Sequence, residues 1–218
     1  AHALRYKDYR MDRSPFNVGI LLFNQVELLD FSGPYEVFCM ANAIIAKDGL
    51  QKPPFSVVTI AERDGWIVTR GGLKVIPDYT LDTCPSLKTL LVPGGPGVHQ
   101  EMQNQVIVDW ITNKAQECRQ VASVCTGALL LGKAGLLAGR QVTTHWAALD
   151  ELAVLCPDSL VLRGYRVVDS GEVITAAGVS AGIDLALYLT ALYCGEETKQ
   201  RVARQMEYIP IITCKCSL

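Results

Sequence analysis

Short runs of branched apolar residues alternate along this chain with helical stretches of ten or more residues, and that alternation constrains the fold more than any other feature. Asn17 to Phe23, Phe55 to Ala61, Thr89 to Val92 and Gln120 to Val124 read as buried strands. The stretches between them carry helix signals. Ser32-Gly33-Pro34 is expected to open a helix, with Ser32 or Gly33 as cap and Pro34 in its first turn. Val106 to Cys118, Thr126 to Leu137, Trp146 to Leu155, Ser180 to Leu192 and Glu196 to Tyr208 are expected as further helices. Trp66 to Thr69 with Leu73 to Ile76, and Val167 to Ser170 with Val173 to Ala176, read as hairpins, and Gln141 to Thr144 is strand-like. Strand–helix alternation of this kind predicts an α/β domain with a mainly parallel sheet covered on both faces. Sites in such sheets form beyond the carboxyl ends of the strands. Three strand ends matter here, those before Asp30, Gly94 and Cys125.

At 218 residues the chain falls within the size range of one domain. Residues 1–15 read as a flexible extension, residues 16–210 as the domain and residues 211–218 as a tail. A formal net charge of −2, from 20 basic and 22 acidic residues, forms no basic stripe and argues against nucleic acid as a partner. No uncharged apolar run is long enough to span a membrane and the start lacks the apolar centre of a secretory signal, so a cytoplasmic location is expected. The eight cysteines are scattered through apolar segments and read mostly as small buried hydrophobes rather than a disulfide framework. Cys214 and Cys216, with one residue between them, lack the spacing of zinc or redox pairs, and no metal is expected.

The residue with the clearest chemical prospects is Cys125, at the junction of the strand Gln120 to Val124 and the helix that follows. The amide N–H groups of a helix start stabilise a thiolate over a thiol, so a cysteine there is placed to act as a nucleophile. Position alone leaves open that it is one more buried cysteine. Pro93-Gly94-Gly95-Pro96-Gly97 follows a strand, and the N–H groups of Gly94, Gly95 and Gly97 could converge on a developing negative charge; the same run also serves as a plain turn. Asp30 could exchange protons in a cleft or simply cap the helix. Thr126 offers a hydroxyl and an amide, or is only the first residue of its helix. His145 reads as a packing or interface histidine as readily as a catalytic one, and His99 as a surface helix residue.

The ordered motifs Leu29-Asp30-Phe31-Ser32-Gly33-Pro34, Leu91-Val92-Pro93-Gly94-Gly95-Pro96-Gly97, Ala122-Ser123-Val124-Cys125-Thr126-Gly127, Thr143-Thr144-His145-Trp146 and Ala177-Gly178-Val179-Ser180-Ala181-Gly182-Ile183-Asp184 resemble the DJ-1/PfpI (ThiJ) superfamily over about residues 17–210. Within it the pattern is most similar to isonitrile hydratases, in which the acid matching Asp30 is an aspartate and the residue after the cysteine is a threonine. The resemblance implies a flavodoxin-like three-layer sandwich with the cysteine on a nucleophile elbow, a homodimer, and neither metal nor organic cofactor. It implies a cysteine-dependent hydro-lyase acting on a small molecule, with Cys125, Asp30 and Thr126 catalytic and Gly94, Gly95, Gly97 and Thr126 binding the polar intermediate. Two alternatives stay open: a glyoxalase or deglycase acting on 2-oxoaldehydes, and a non-catalytic oxidant or ligand sensor like the amidotransferase-like domains of some transcription regulators.

Overall fold

A computed structural model describes residues 15–49 and 53–211 and the backbone of residues 214–216. The four apolar runs form the middle of one sheet: β1 (Phe16–Leu21), β2 (Phe55–Ala61), β6 (Thr89–Val92) and β7 (Gln120–Val124). Every residue of β6 and β7 is buried, as a strand covered on both faces requires. The hairpin from the glycine turn at Arg70-Gly71-Gly72 is present as β3 (Ile67–Val68) and β4 (Lys74–Val75), paired antiparallel. Beyond it, β5 (Tyr79–Thr80) closes one edge of the main sheet.

Four helices belong to this first part of the chain: α1 (Leu28–Lys47), α2 (Val98–Glu101), α3 (Gln105–Glu117) and α4 (Gly127–Lys133). The second part adds β8 (Gln141–Val142), a 3-10 turn (Trp146–Ala148), α5 (Leu149–Leu155), β9 (Leu160–Val161), β10 (Val167–Asp169), β11 (Val173–Ala176), α6 (Ala181–Cys194), α7 (Glu196–Gln205) and β12 (Cys214–Cys216). The eight-stranded sheet runs β12-β10-β11-β7-β6-β1-β2-β5. Only the β10–β11 hairpin is antiparallel; β1–β2, β1–β6, β6–β7, β7–β11, β2–β5 and β10–β12 are all parallel. Helices α1, α6 and α7 pack on one another, and α3 and α5 pack on α4, giving the three-layer α/β sandwich expected.

Three local expectations fail for physical reasons. Helix α1 starts at Leu28, so Asp30 lies in its first turn rather than before it, and neither Ser32 nor Gly33 is a cap. Glu27 holds the capping position in extended backbone (φ −73°, ψ 122°), because its N–H is drawn to the Gly94 carbonyl at 2.8 Å. Pro34 therefore sits inside the helix, where it removes the amide that would bond the Asp30 carbonyl one turn back. Its ring packs within 3.3 Å of where a Cβ on Gly182 would stand, so α1 and α6 cross closely. The helix after Cys125 ends at Lys133 rather than Leu137, where Gly135 turns left-handed (φ 77°). Gln141 to Thr144 shortens to the two residues of β8, which pair with β9 outside the main sheet.

Candidate active site

The ends of β6, β7 and β11 meet at one place. From β7 the chain enters Cys125, which is forced into the left-handed region at φ 58°. A non-glycine residue there is strained, and it holds only because its surroundings overdetermine it. The Cys125 N–H donates to the Ala177 carbonyl just past β11 (3.0 Å), and the Cys125 carbonyl accepts the Thr144 hydroxyl (2.7 Å). Gly127, the first residue of α4, stands so close to β6 that a Cβ would lie 2.1 Å from the Val92 carbonyl oxygen. Strand, tight turn and helix together make the elbow implied by the sequence, with the cysteine at its apex.

The glycine loop after β6 closes over this apex. A Cβ on Gly94 would lie 2.6 Å from both the amide nitrogen and the hydroxyl of Thr126, and 3.0 Å from Cys125 Cβ. Gly95 adopts φ 124°, and Gly97 stands where a Cβ would meet the Asn24 carbonyl oxygen at 1.9 Å. These amides do not point free at a reactant, as their spacing in the sequence had suggested. Gly94 N–H donates to Asp30 Oδ2 (2.9 Å), Gly95 N–H to Thr126 Oγ1 (3.0 Å) and Gly97 N–H to the Gln25 carbonyl (3.3 Å). The loop thus orients the side chains around the sulfur, and its donors are already engaged.

Thr126 gains a defined role from that contact. Its oxygen accepts from Gly95, and its hydroxyl favours the charged form of the Cys125 sulfur beside it. The Thr126 amide and the Val179 amide also favour the charged form of that sulfur. Val179 was not singled out in the sequence. It is β-branched yet holds φ 41°, and its neighbour Gly178 is pressed against the His145 ring, where a Cβ would fall 2.2 Å from Cδ2. His145 accepts the Ala147 N–H on Nδ1 (3.2 Å), so its ring supports the Gly178–Val179 turn by packing. His99 lies away from the site on α2, paired with Glu151 at 2.9 Å.

Asp30 and Cys125 are electrostatic neighbours inside this enclosure. Asp30 has no solvent exposure and Cys125 keeps 6 %. Burial raises the Asp30 pKa to about 7, against the opposing pull of the Gly94 amide; the Glu27 charge adds to the rise and the Cys125 thiol offsets part of it. Asp30 Oδ1 has no hydrogen-bond partner, a costly state for a buried oxygen. The thiol is pushed up to about 12, first by burial and then by the Asp30 charge, against the pull of the Thr126 and Val179 amides and the Thr126 hydroxyl. The thiolate favoured by a helix start is therefore not the resting state beside an ionised aspartate. A helix of seven residues supplies too little to outweigh desolvation and a like charge. What the pair can do is hold one proton between sulfur and carboxylate and pass it to a bound reactant.

Among the described residues no three His, Cys, Asp or Glu side chains gather as a metal site, and no helix is long and apolar enough to cross a membrane. The model of the DJ-1/PfpI family matches residues 17–192, which span both halves of the elbow and its loop. The chain belongs to the DJ-1/PfpI family. It is 41% identical over 194 residues to an isonitrile hydratase of Pseudomonas putida, covering 88% of this chain and 78% of that protein. It is 25% identical over 197 residues to the HTH-type transcriptional regulator GbdR of Pseudomonas aeruginosa, covering 90% of this chain and about half, 52%, of the regulator. Among solved structures it resembles a THiJ/PfpI family protein from Pseudomonas syringae at TM-score 0.80 and 26% identity, covering 93% of this chain and 80% of that one.

Proposed function

We propose that the chain is a cysteine-dependent hydro-lyase that adds water to an isonitrile, R–N≡C, to give an N-substituted formamide. The observation that carries the proposal is the pairing of a strained cysteine with a fully buried aspartate that has one unpartnered oxygen. The 41% identity to an isonitrile hydratase supports the choice of substrate.

In this reaction Cys125 Sγ attacks the terminal carbon while its proton passes to Asp30, so no free thiolate has to exist beforehand. Asp30 delivers that proton to the same carbon, giving the thioimidate R–N=CH–S–Cys125. A pKa raised to about 7 suits a group that must take and give a proton near neutral pH. Water, accepted by the free Oδ1 of Asp30, then adds to the carbon. The nitrogen is protonated, sulfur departs and recovers its proton, and R–NH–CHO is released. The Thr126 hydroxyl and the Thr126 and Val179 amides hold the sulfur as its charge changes. Gly94, Gly95 and Gly97 act by fixing Asp30, Thr126 and the loop itself. The family resemblance supports a cytoplasmic homodimer without metal or organic cofactor.

Incubating the purified protein separately with cyclohexyl isocyanide and with methylglyoxal tests this. Formation of N-cyclohexylformamide that is lost in Cys125→Ala is the expected result. Turnover of methylglyoxal alone would assign the same residues to an aldehyde activity. The likeness to a transcription regulator favours a second reading, a ligand or oxidant sensor. That reading predicts turnover of neither compound, with Cys125 modified only by oxidants.

A further inference from the structure

The ionisable residue nearest in sequence to the proton-carrying pair that the reaction leaves unused is Glu27. It stands three residues before Asp30, at the capping position of α1. Both residues clasp a single glycine: Gly94 gives its N–H to Asp30 Oδ2 at 2.9 Å and takes the Glu27 N–H on its carbonyl at 2.8 Å. The Glu27 side chain, 22 % exposed, is held in turn by Arg70, whose Nη1 lies 2.9 Å from Oε2. Arg70 sits at the tip of the β3–β4 hairpin, and its own N–H is bonded to the Val26 carbonyl at 3.0 Å. The hairpin is stitched to the same segment twice more, by Gln25 N–H to the Val68 carbonyl (2.8 Å) and Val68 N–H to Asn24 Oδ1 (2.9 Å). An exposed arm of the fold thus brings a cation against the carboxylate that precedes the buried aspartate.

We propose that Glu27 is a positioning residue that governs the proton of Asp30, and that Arg70, carried by the hairpin, sets how strongly it does so. The charged and titratable groups acting on Asp30 are Glu27 from the cap of its helix and Cys125 from the elbow, while the glycine loop contributes an amide without charge. Glu27 disfavours loss of the Asp30 proton by like-charge repulsion, and Arg70, paired with the Glu27 carboxylate, damps that repulsion. Asp30 is thereby kept able to hold a proton near neutral pH although the sulfur beside it can supply one. This rests on the reading of Asp30 as proton carrier and extends it to what tunes that carrier.

Glu27→Gln removes the charge while keeping the backbone bond to Gly94 and a side chain that can still bond Arg70. Arg70→Met removes the damping cation, which is 62 % exposed, and a surface substitution of this kind is expected to leave the fold intact. Asp30 protonation is read without any substrate, by difference infrared titration of its carboxyl band against Asp30→Asn, with the pH profile of Cys125 alkylation by iodoacetamide as a second readout. Glu27→Gln is expected to lower the Asp30 midpoint by about half a pH unit, and Arg70→Met to raise it by a smaller amount. The double variant is expected to follow Glu27→Gln. An Asp30 midpoint unchanged in Glu27→Gln, or shifted equally by Arg70→Met whether or not Glu27 is charged, overturns the proposal. A shifted midpoint in a protein that hydrates no isonitrile would leave this inference standing and remove the proposed reaction.

Discussion

Replacing Gly94 by alanine tests whether the loop and the elbow form one rigid unit. The added Cβ would stand 2.6 Å from Thr126 N and Thr126 Oγ1, about 0.8 Å inside the 3.4 Å at which ordinary contact begins, and 3.0 Å from Cys125 Cβ. Two of these neighbours are backbone or β-carbon and cannot swing away, so the loop or the elbow must move by several tenths of an ångström. Moving the loop also lengthens the Gly94 N–H bond to Asp30 and the Gly95 N–H bond to Thr126. Overpacking of this sort costs about 1–3 kcal/mol of stability, which a domain of this size can absorb. Misplacing reacting groups by about 1 Å costs roughly 100-fold in rate. Gly94→Ala is therefore expected to fold, to lose on the order of 10-fold in kcat/KM toward an isonitrile for a shift of part of an ångström, and to change the rate at which iodoacetamide alkylates Cys125. Circular dichroism and Tm confirm the fold, and product formation reads the rate. A folded variant with both rates within about twofold of wild type would refute the tight coupling of loop and elbow.

Asp30→Asn makes a prediction about stability as well as rate. The folded Asp30 holds its proton up to about pH 7 against an ordinary value of 3.8, so between those values the folded state binds more protons than the unfolded chain and stability falls as pH rises. The variant removes that slope: by urea unfolding it should match wild type at pH 3.5 and exceed it above pH 7 by up to about 4 kcal/mol, while losing roughly 100- to 10,000-fold in turnover. Gly178→Ala, whose Cβ would strike the His145 ring at 2.2 Å, should lower both Tm and activity, and His145→Ala in the same chain should restore much of each; no restoration would mean that His145 does more than pack. Arg166 Nε lies 2.6 Å from Asp184 Oδ2, whose side chain is 6 % exposed, so Arg166→Met should cost about 3 kcal/mol in urea unfolding and Arg166→Met with Asp184→Asn distinctly less.

The sheet was legible because its central strands are pure apolar runs, and the elbow because a cysteine stands between such a run and small residues. The two-residue strands β5 and β9 carry too little pattern to be read, and β12 lies in a segment that looked like a tail. The start of α1 was misplaced because Ser32-Gly33-Pro34 has every local mark of a cap, while the true boundary is set by Gly94, far away in sequence, which draws on the Glu27 amide. Residue type and position brought Cys125, Asp30 and Thr126 forward as candidates, and the structure places the three side by side. The fate of the glycine amides could not, since it depends on which acceptors the fold brings beneath them. Val179 was hidden for a different reason: it contributes a backbone N–H, which any residue but proline has, and its strained φ of 41° leaves no trace in a valine.

The covalent role of one sulfur, served by one carboxyl, is tested most directly by rapid quench of the enzyme during turnover of cyclohexyl isocyanide, followed by intact mass and peptide mapping, with Asp30→Asn run beside it. Stoichiometric gain of the whole isonitrile mass on the peptide holding Cys125, its lifetime altered in Asp30→Asn and the adduct missing in Cys125→Ala, is the expected result. Formamide produced at the wild-type rate by Cys125→Ala, with no adduct at any time point, would contradict it.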